Sequence, residues 1–400
     1  MAKAIYKNST TDIAVIGSGI SGLAAGLTAA EGGAKVVIFE KQPSVGGSSN
    51  FFEGTFAVES ELQRERYITY SRDDAFKAIM EYSHWRANAR LVRAIVNESA
   101  ETISWFLRQG VVFSDITINM PDEPRTYHVP KGTGAAIIKV LVDRAKEMGV
   151  ELRPASPVKR IIVESGRIAG VIFEENDAEK ELKANVVVIA SGGYANNKDW
   201  IKKYTGFDLE NNLIPFGNVG KMGDGIRMAW EIGAEKDGVE TLELYRIGPI
   251  GPEFSQKGPV ELMAIQPDLW VNPQGKRFCD EGMAFYETSV GNANARSKEG
   301  YTYSIFDESI KQQIIEKGTT KSEGQDNPPG TRPVNFKNEF QAALKNGSKE
   351  IFEAQSLEEL AKMIDMAPEV LKAKADLVTT MTCTKHYFDR GRMAREGIEY

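Results

Sequence analysis

Histidine and cysteine are scarce in this chain, with three and two residues among 400. Cys279 and Cys383 stand far apart without a C-x-x-C pair. That excludes a cysteine zinc site and fits a reducing compartment. No arrangement of these residues points to a metal, a haem or a covalently attached cofactor. Positive charge is also short, 49 lysines and arginines against 56 acids, a net charge of −7. This argues against nucleic acid or an anionic membrane surface as the main partner. No apolar run approaches the roughly 18 residues of a membrane span, and Met1 to Thr11 show neither an apolar signal core nor twin arginines. The expectation is a cytoplasmic protein without a membrane span. The apolar content of 42% is ample for two or three domains with cores of their own.

The most informative stretch is Asp12-Ile13-Ala14-Val15-Ile16-Gly17-Ser18-Gly19-Ile20-Ser21-Gly22. A short β-branched run ends in G-x-G-x-x-G, and Ile20, Leu23, Leu27 and Ala30 then recur at helical spacing. A second strand, Lys35-Val36-Val37-Ile38-Phe39, is closed by Glu40. In such a unit Gly17 permits the tight turn, Gly19 lets a pyrophosphate approach the backbone, and Gly22 lets the helix sit close on the sheet. The helix start offers N–H groups and partial positive charge to phosphates, and Glu40 can accept hydrogen bonds from a ribose. With strands, helix and acid in register, the stretch predicts a dinucleotide site.

Further along, Lys41-Gln42-Pro43-Ser44-Val45-Gly46-Gly47-Ser48-Ser49-Asn50 is small and hydroxyl-rich, suited to wrap a diphosphate or ribityl chain or simply to turn. Arg72 to Gln109 reads as helical, with His84 and Trp85 inside it, and Gly132 to Met148 as an amphipathic helix. Val158 to Val163, Arg167 to Phe173 and Glu181 to Ala190 read as strands. The last is apolar on both faces, as a central parallel strand would be, and runs into Ser191-Gly192-Gly193. Lys221-Met222-Gly223-Asp224-Gly225-Ile226 opens a helix. Residues 317–347 read as a polar surface loop, and Ser356-Leu357-Glu358-Glu359 as a helix start whose periodicity continues to about Thr380.

Taken in order, these segments and Val271-Asn272-Pro273-Gln274-Gly275-Lys276-Arg277-Phe278 resemble the flavoprotein subunits of fumarate reductase and succinate dehydrogenase. The nearest match is the soluble FAD-dependent branch, which also includes urocanate reductase and 3-ketosteroid dehydrogenases. The resemblance implies an α/β fold: a Rossmann-like FAD-binding domain of GR2 type with a central parallel sheet, and an inserted α+β capping domain. The corresponding ranges are 1–241 for the FAD domain, 242–380 for the cap and 381–400 for an incomplete return. It implies non-covalent FAD held by Gly17, Ser18, Gly19, Ile20, Ser21, Gly22, Glu40, Lys41, Gly46, Gly47, Ser48, Ser49, Val158, Ala190, Ser191, Gly192, Gly193, Gly223 and Asp224. The activity it implies is hydride exchange between flavin N5 and an activated C=C or CH–CH bond of a small molecule, with an unnamed electron donor or acceptor.

The chain departs from that pattern. Phe285 stands where the family carries its proton-donating arginine, and Arg246-Ile247-Gly248-Pro249 where a histidine is expected. Phenylalanine neither clamps a carboxylate nor moves a proton, so fumarate is disfavoured. Arg246, Tyr245 and Arg296 are the candidate replacements, with Arg246 and Arg296 taken as catalytic. His128, just before the Gly132 helix, reads as a loop histidine near the site. No later glycine-rich flavin segment is recognised before Tyr400. Two other readings stay open: an FAD-binding protein without independent catalysis, and a nicotinamide dehydrogenase using the same fingerprint.

Overall fold

The computed structural model describes residues 10–372 except 119–122, 210–212, 217–219, 245, 256–257, 268, 298 and 322–326. The range 381–400, Cys383 and Tyr245 thus lie outside the described residues. The chain divides into two compact units after Thr241.

In the first unit, β1 (Thr10–Ile16), α1 (Ile20–Glu31) and β2 (Val36–Phe39) form the βαβ start. Then follow a 3-10 turn at Gly47–Phe51, β3 (Thr55–Phe56), α2 (Glu61–Glu65), α3 (Arg72–Tyr82) and α4 (Ala89–Arg108). Next come β4 (Phe113–Thr117), β5 (Tyr127–Pro130), α5 (Gly134–Glu147) and β6 (Glu151–Arg153). The unit closes with β7 (Val158–Glu164), β8 (Arg167–Glu175), β9 (Ala178–Ile189), α6 (Lys198–Thr205) and α7 (Asp224–Glu231). Six strands make one sheet in the order β6-β2-β1-β9-β8-β7. β6, β2, β1 and β9 run parallel, whereas β7, β8 and β9 form an antiparallel meander.

The alternation of side chains along β1 and β2 explains both layers. Val15 and Ile38 face α1 and α5, where Leu23, Leu27, Ile137 and Leu141 complete one core. Ala14, Ile16, Val37 and Phe39 face the other side, against Phe173 of β8 and Met228 of α7. Strands covered on both faces have no polar position to offer, which is why these runs are continuously apolar.

Two expectations for this unit need correction. The apolar run at the end of β9 is not buried on both faces: Val186 is 47% and Ile189 40% exposed. β9 pairs with β8 through 178–183 and with β1 through 183–189, so its second half has a strand on one side only. The continuous helix over 72–109 is two helices. His84 and Trp85 take left-handed backbone (φ +50° and +58°), and Asn88 caps the new start by accepting from the amides of Arg90 and Leu91. The third expected helix begins at Gly134, after a left-handed Gly132 (φ +98°).

A small sheet, β3-β5-β4, holds His128 fully buried. Its Nε2 lies 2.8 Å from Ser60 Oγ, its Nδ1 lies 3.1 Å from the Thr126 carbonyl, and Phe113 meets the ring edge-on. This is a packed histidine rather than a loop one. Burial, which disfavours the charged ring, holds its pKa below the ordinary value, against a smaller opposing pull from the Thr126 carbonyl. The unfolded chain therefore takes up a proton that the folded chain resists. Stability is complete above the ordinary histidine range, near pH 6.5, and declines as pH falls through it, by at most about 1.4 kcal/mol per pH unit. Chemical denaturation at pH 7.5 and 5.5 should show this loss, and His128→Gln should flatten it.

The second unit contains α8 (Pro259–Ala264), β10 (Trp270–Val271), α9 (Glu287–Ala295), β11 (Tyr303–Ser304), α10 (Glu308–Lys317), α11 (Phe336–Lys345) and α12 (Leu357–Met363). The loop expected over 317–347 contains α11. Phe336, Phe340 and Ala343, spaced by four and three, bury against Val260, Met263 and Ile314. Each buried phenylalanine contributes about 1.5–3 kcal/mol, enough to hold a helix in a polar stretch. α12 starts as expected, with Ser356 accepting from the Glu359 amide, but it stops at Met363 before a left-handed Asp365. The segment Asn272–Phe278 is a tight turn. Asn272 Oδ1 accepts from the amides of Gln274 and Lys276, and Gly275 supplies the φ of +70°. Arg277 then pairs with buried Glu281, which also accepts from the Trp270 amide at 3.0 Å.

Candidate functional site

Three parallel strands, β1, β2 and β9, end at the same edge of the sheet, and the loops that follow them form the candidate site, as in doubly wound folds. Gly17 turns the chain with φ +107°, and its amide donates to the Phe39 carbonyl at 2.8 Å. A Cβ at Gly17 would stand 2.4 Å from the Ala190 carbonyl oxygen, and one at Gly22 only 1.9 Å from that of Gly17. These contacts press α1 onto β1 and β9. Gly19 caps α1 without a side chain, and the first turn, Ile20, Ser21 and Gly22, carries no acid. The helix start thus presents its dipole and amide edge to an anion.

Ser18 and Glu40 lock the loops together. Both are buried. Ser18 Oγ donates to Glu40 Oε2 at 2.6 Å and accepts from the Gly46 amide at 3.1 Å. The Ser18 amide reaches the same carboxylate oxygen at 3.2 Å, and the Gln42 amide reaches Oε1 at 2.9 Å. Three donors leave part of the carboxylate's acceptor capacity for a ribose hydroxyl. Ser49 Oγ accepts from the Ile20 amide at 3.1 Å, tying the 3-10 turn with Gly47 and Ser48 to the start of α1.

Lys41 forms an ion pair with Asp224, which joins the loop after β2 to the first turn of α7. Ser191 Oγ accepts from the Gly225 amide at 3.1 Å, and the Gly223 amide donates to the Gly193 carbonyl at 3.1 Å. Ala190 is held by its amide to the Ile16 carbonyl at 2.8 Å. Val158, at the start of β7, faces the core beside Phe39 and Phe173. Two further glycines shape the cradle although sequence reading assigned them no role. A Cβ at Gly134 would meet the Ser49 carbonyl oxygen at 1.9 Å, and one at Gly225 would meet Ser191 Oγ at 2.2 Å. The available signal was a glycine inside the first turn of a helix, where propensity disfavours it.

These residues fit FAD. Where the cradle packs against itself, a Cβ would collide. At Gly47, Gly192 and Gly193 a Cβ would meet no atom within 4 Å, so the loops border open space at the strand ends. A helix start whose cap residue Gly19 brings no side chain, a buried carboxylate with acceptor capacity to spare and hydroxyl-bearing loops are the features a dinucleotide needs.

The candidate cations lie in the second unit. Arg246 has a left-handed backbone (φ +63°) and a side chain only 11% exposed. Its Nη2 and Nε donate to Glu287 Oε1 at 2.9 and 3.2 Å, and its amide donates to the Glu287 carbonyl. Arg296 is exposed at the end of α9. His84 is exposed as well. Burial and the neighbouring acids Glu281 and Asp280 push the Cys279 thiol up to about 12, so it stays protonated and unreactive.

Among the described residues, no helix is long and apolar enough to cross a membrane. The sequence pattern of the family described as FAD binding domain matches residues 12–367. A second, short match, over residues 365–400, is to ATP:corrinoid adenosyltransferases and falls mostly outside the described residues. The chain is 33% identical to a vinyl phenol reductase of Lactiplantibacillus plantarum, over 89% of this chain and 73% of that protein. It is 26% identical to a cytochrome-type fumarate reductase of Shewanella frigidimarina, over 78% of this chain and 55% of that protein. The fold superposes on a 3-ketosteroid Δ1-dehydrogenase from Sterolibacterium denitrificans with a TM-score of 0.71, at 17% identity, covering 96% of this chain and 80% of the other. The chain thus spans about three quarters of the first relative and about half of the second.

Proposed function

Because this chain belongs to the FAD-binding flavoprotein family of fumarate reductase type, we propose that it exchanges a hydride between bound FAD and a carbon of an activated C=C or CH–CH bond in a small molecule. The observation that carries the reading is the preformed cradle at the ends of β1, β2 and β9, with Ser18 and Glu40 at its centre. FAD supplies the hydride chemistry when bound. The residues of this chain hold and orient it: the start of α1 takes the diphosphate, Glu40 a ribose, and the Gly46–Ser49 and Ala190–Gly193 loops line the rest. Arg246 and Arg296 are the residues proposed to serve the chemistry in the second unit. The vinyl phenol reductase relative supports an alkene acceptor that is not a dicarboxylate, as do Phe285 and Gly248 in the places the family resemblance reserves for arginine and histidine. The electron partner is a separate small molecule or protein, and the scarce cysteines suit the cytoplasm.

A second reading, FAD binding without independent turnover, is favoured by one observation: the apolar Val186 and Ile189 stand 47% and 40% exposed near the cofactor end of β9. One experiment separates the two. The FAD-loaded chain is reduced anaerobically and mixed with 4-vinylphenol, acrylate or fumarate, and the return of the oxidised flavin spectrum is followed. Rapid reoxidation by an alkene, with the saturated product recovered, supports the enzyme. Flavin that reduces but is reoxidised by none of them supports the second reading.

A further inference from the structure

We propose that Lys41 and Asp224 act on the cofactor through each other: their ion pair clasps the loop after β2 to the start of α7, and FAD is retained by the closed clasp rather than by the charge of either residue. The proposal rests on the reading of the chain as an FAD protein and names two positioning residues of that site.

Four links run around the ends of β1, β2 and β9. Ser18 and Glu40 join the loops after β1 and β2. The Ala190 amide, donating to the Ile16 carbonyl, joins β9 to β1. Ser191 Oγ accepts from the Gly225 amide, and the Gly193 carbonyl from the Gly223 amide, so the loop after β9 is joined to α7. The Lys41–Asp224 pair closes the circuit between α7 and the loop after β2, across 183 positions of sequence. Both of its ends are anchored. Glu40, next to Lys41, donates its amide to the Arg153 carbonyl at 2.9 Å, and its carbonyl accepts from the Ser156 amide at 2.8 Å. Asp224 opens α7 beside Gly225, where a Cβ would stand 2.2 Å from Ser191 Oγ, so the helix start rests directly on the loop after β9.

This link is the weakest of the four. Ser18 and Glu40 are buried, whereas the side chains of Lys41 and Asp224 are 28% and 37% exposed. An ion pair so exposed is worth at most about a factor of five in an equilibrium and is screened by salt. The circuit therefore opens first between Lys41 and Asp224. The signs of the charges separate a clasp from a direct contact. FAD carries an anionic diphosphate, which a lone lysine attracts and a lone aspartate repels. Paired, the two charges cancel, and what the residues supply is the span between two loops. Removing the charge of Asp224 then has opposite consequences: a clasp is lost and FAD leaves faster, or a repulsion is lost and FAD leaves more slowly.

The test is the rate at which the FAD-loaded chain releases its cofactor after rapid desalting, timed by the flavin absorbance that stays with the protein, at about 0.05 and about 0.5 M salt. At low salt Asp224→Asn and Lys41→Met are each expected to release FAD about fivefold faster than the unaltered chain. The exchanged chain, Lys41→Asp with Asp224→Lys, should release it more slowly than either, within about twofold of the unaltered chain. High salt should bring the unaltered chain to within about twofold of Asp224→Asn. Slower release from Asp224→Asn overturns the proposal in favour of direct charge contact. Unchanged release from both single variants overturns it too, as does an exchanged chain no slower than they are. Should Asp224→Asn fail to fold, the exchanged chain still decides, because a direct contact from Lys41 would be lost in it. A chain that takes up no FAD defeats the cofactor reading and the clasp with it, whereas FAD bound and released alike by every variant defeats the clasp alone.

Discussion

Gly22→Ala is expected to abolish cofactor retention. The added Cβ would lie 1.9 Å from the Gly17 carbonyl oxygen and 3.0 Å from its carbon. Both are backbone atoms of the turn that α1 must approach, so no side-chain rotation relieves the clash. α1 has to lift from β1, and with it the helix start proposed to take the phosphates. Overpacking of this kind costs about 1–3 kcal/mol of stability, and a misplaced helix start forfeits the diphosphate interactions altogether. FAD binding should weaken by at least about a thousandfold, some 4 kcal/mol, measured by titrating the apoprotein. Gly193→Ala supplies the contrast. A Cβ there meets nothing within 4 Å, and the residue is not among the positive-φ glycines. The apoprotein should keep its melting temperature within a degree or two while FAD affinity falls, because only a ligand lying against that backbone would feel the methyl group. An unchanged affinity in Gly193→Ala would move the cofactor away from this loop.

Glu40→Ala is expected to weaken both the fold and the site. Its carboxylate accepts from the Ser18 amide, the Ser18 hydroxyl and the Gln42 amide, in a place 8% exposed. Removing it strands three donors, and each unsatisfied buried group costs about 1–3 kcal/mol. Water entering the gap recovers part of this, so a net loss of about 2–4 kcal/mol is expected in denaturant unfolding. The Ser18 hydroxyl also loses the partner that orients it toward the Gly46 amide, which loosens the 46–49 loop. FAD affinity should fall by about a hundredfold or more, roughly 2.7 kcal/mol. Glu40→Gln, with one acceptor oxygen, should lie between. A variant with normal stability and normal FAD affinity would remove Glu40 from the site.

The parts of this molecule that were legible in its sequence are those with local causes. The turn at Gly17, the continuously apolar runs of β1 and β2, and the helix that opens at Gly223 are each specified by residues a few positions apart. The family resemblance extended that local reading to the cofactor. What was hidden had distant or unexpected causes. The break between α3 and α4 turns on left-handed backbone at His84 and Trp85, a conformation uncommon outside glycine and one that no sequence pattern here marks. α11 lay inside a polar stretch because its buried face consists of Phe336, Phe340 and Ala343, too few to stand out. The one-sided pairing of β9 arises because β1, far away in the chain, continues alongside it beyond the point where the neighbouring β8 stops pairing. The partners of Arg246 lie 15 and 41 residues on, and nothing in the local sequence announces them.

The central claim is that this chain forms an FAD site from the loops after β1, β2 and β9. Its most direct test is the visible spectrum of the purified protein, with the released nucleotide identified by chromatography. The account predicts a flavin spectrum at near-stoichiometric occupancy and FAD, neither FMN nor a nicotinamide nucleotide, in the supernatant after denaturation. A colourless protein that takes up no added FAD would contradict it.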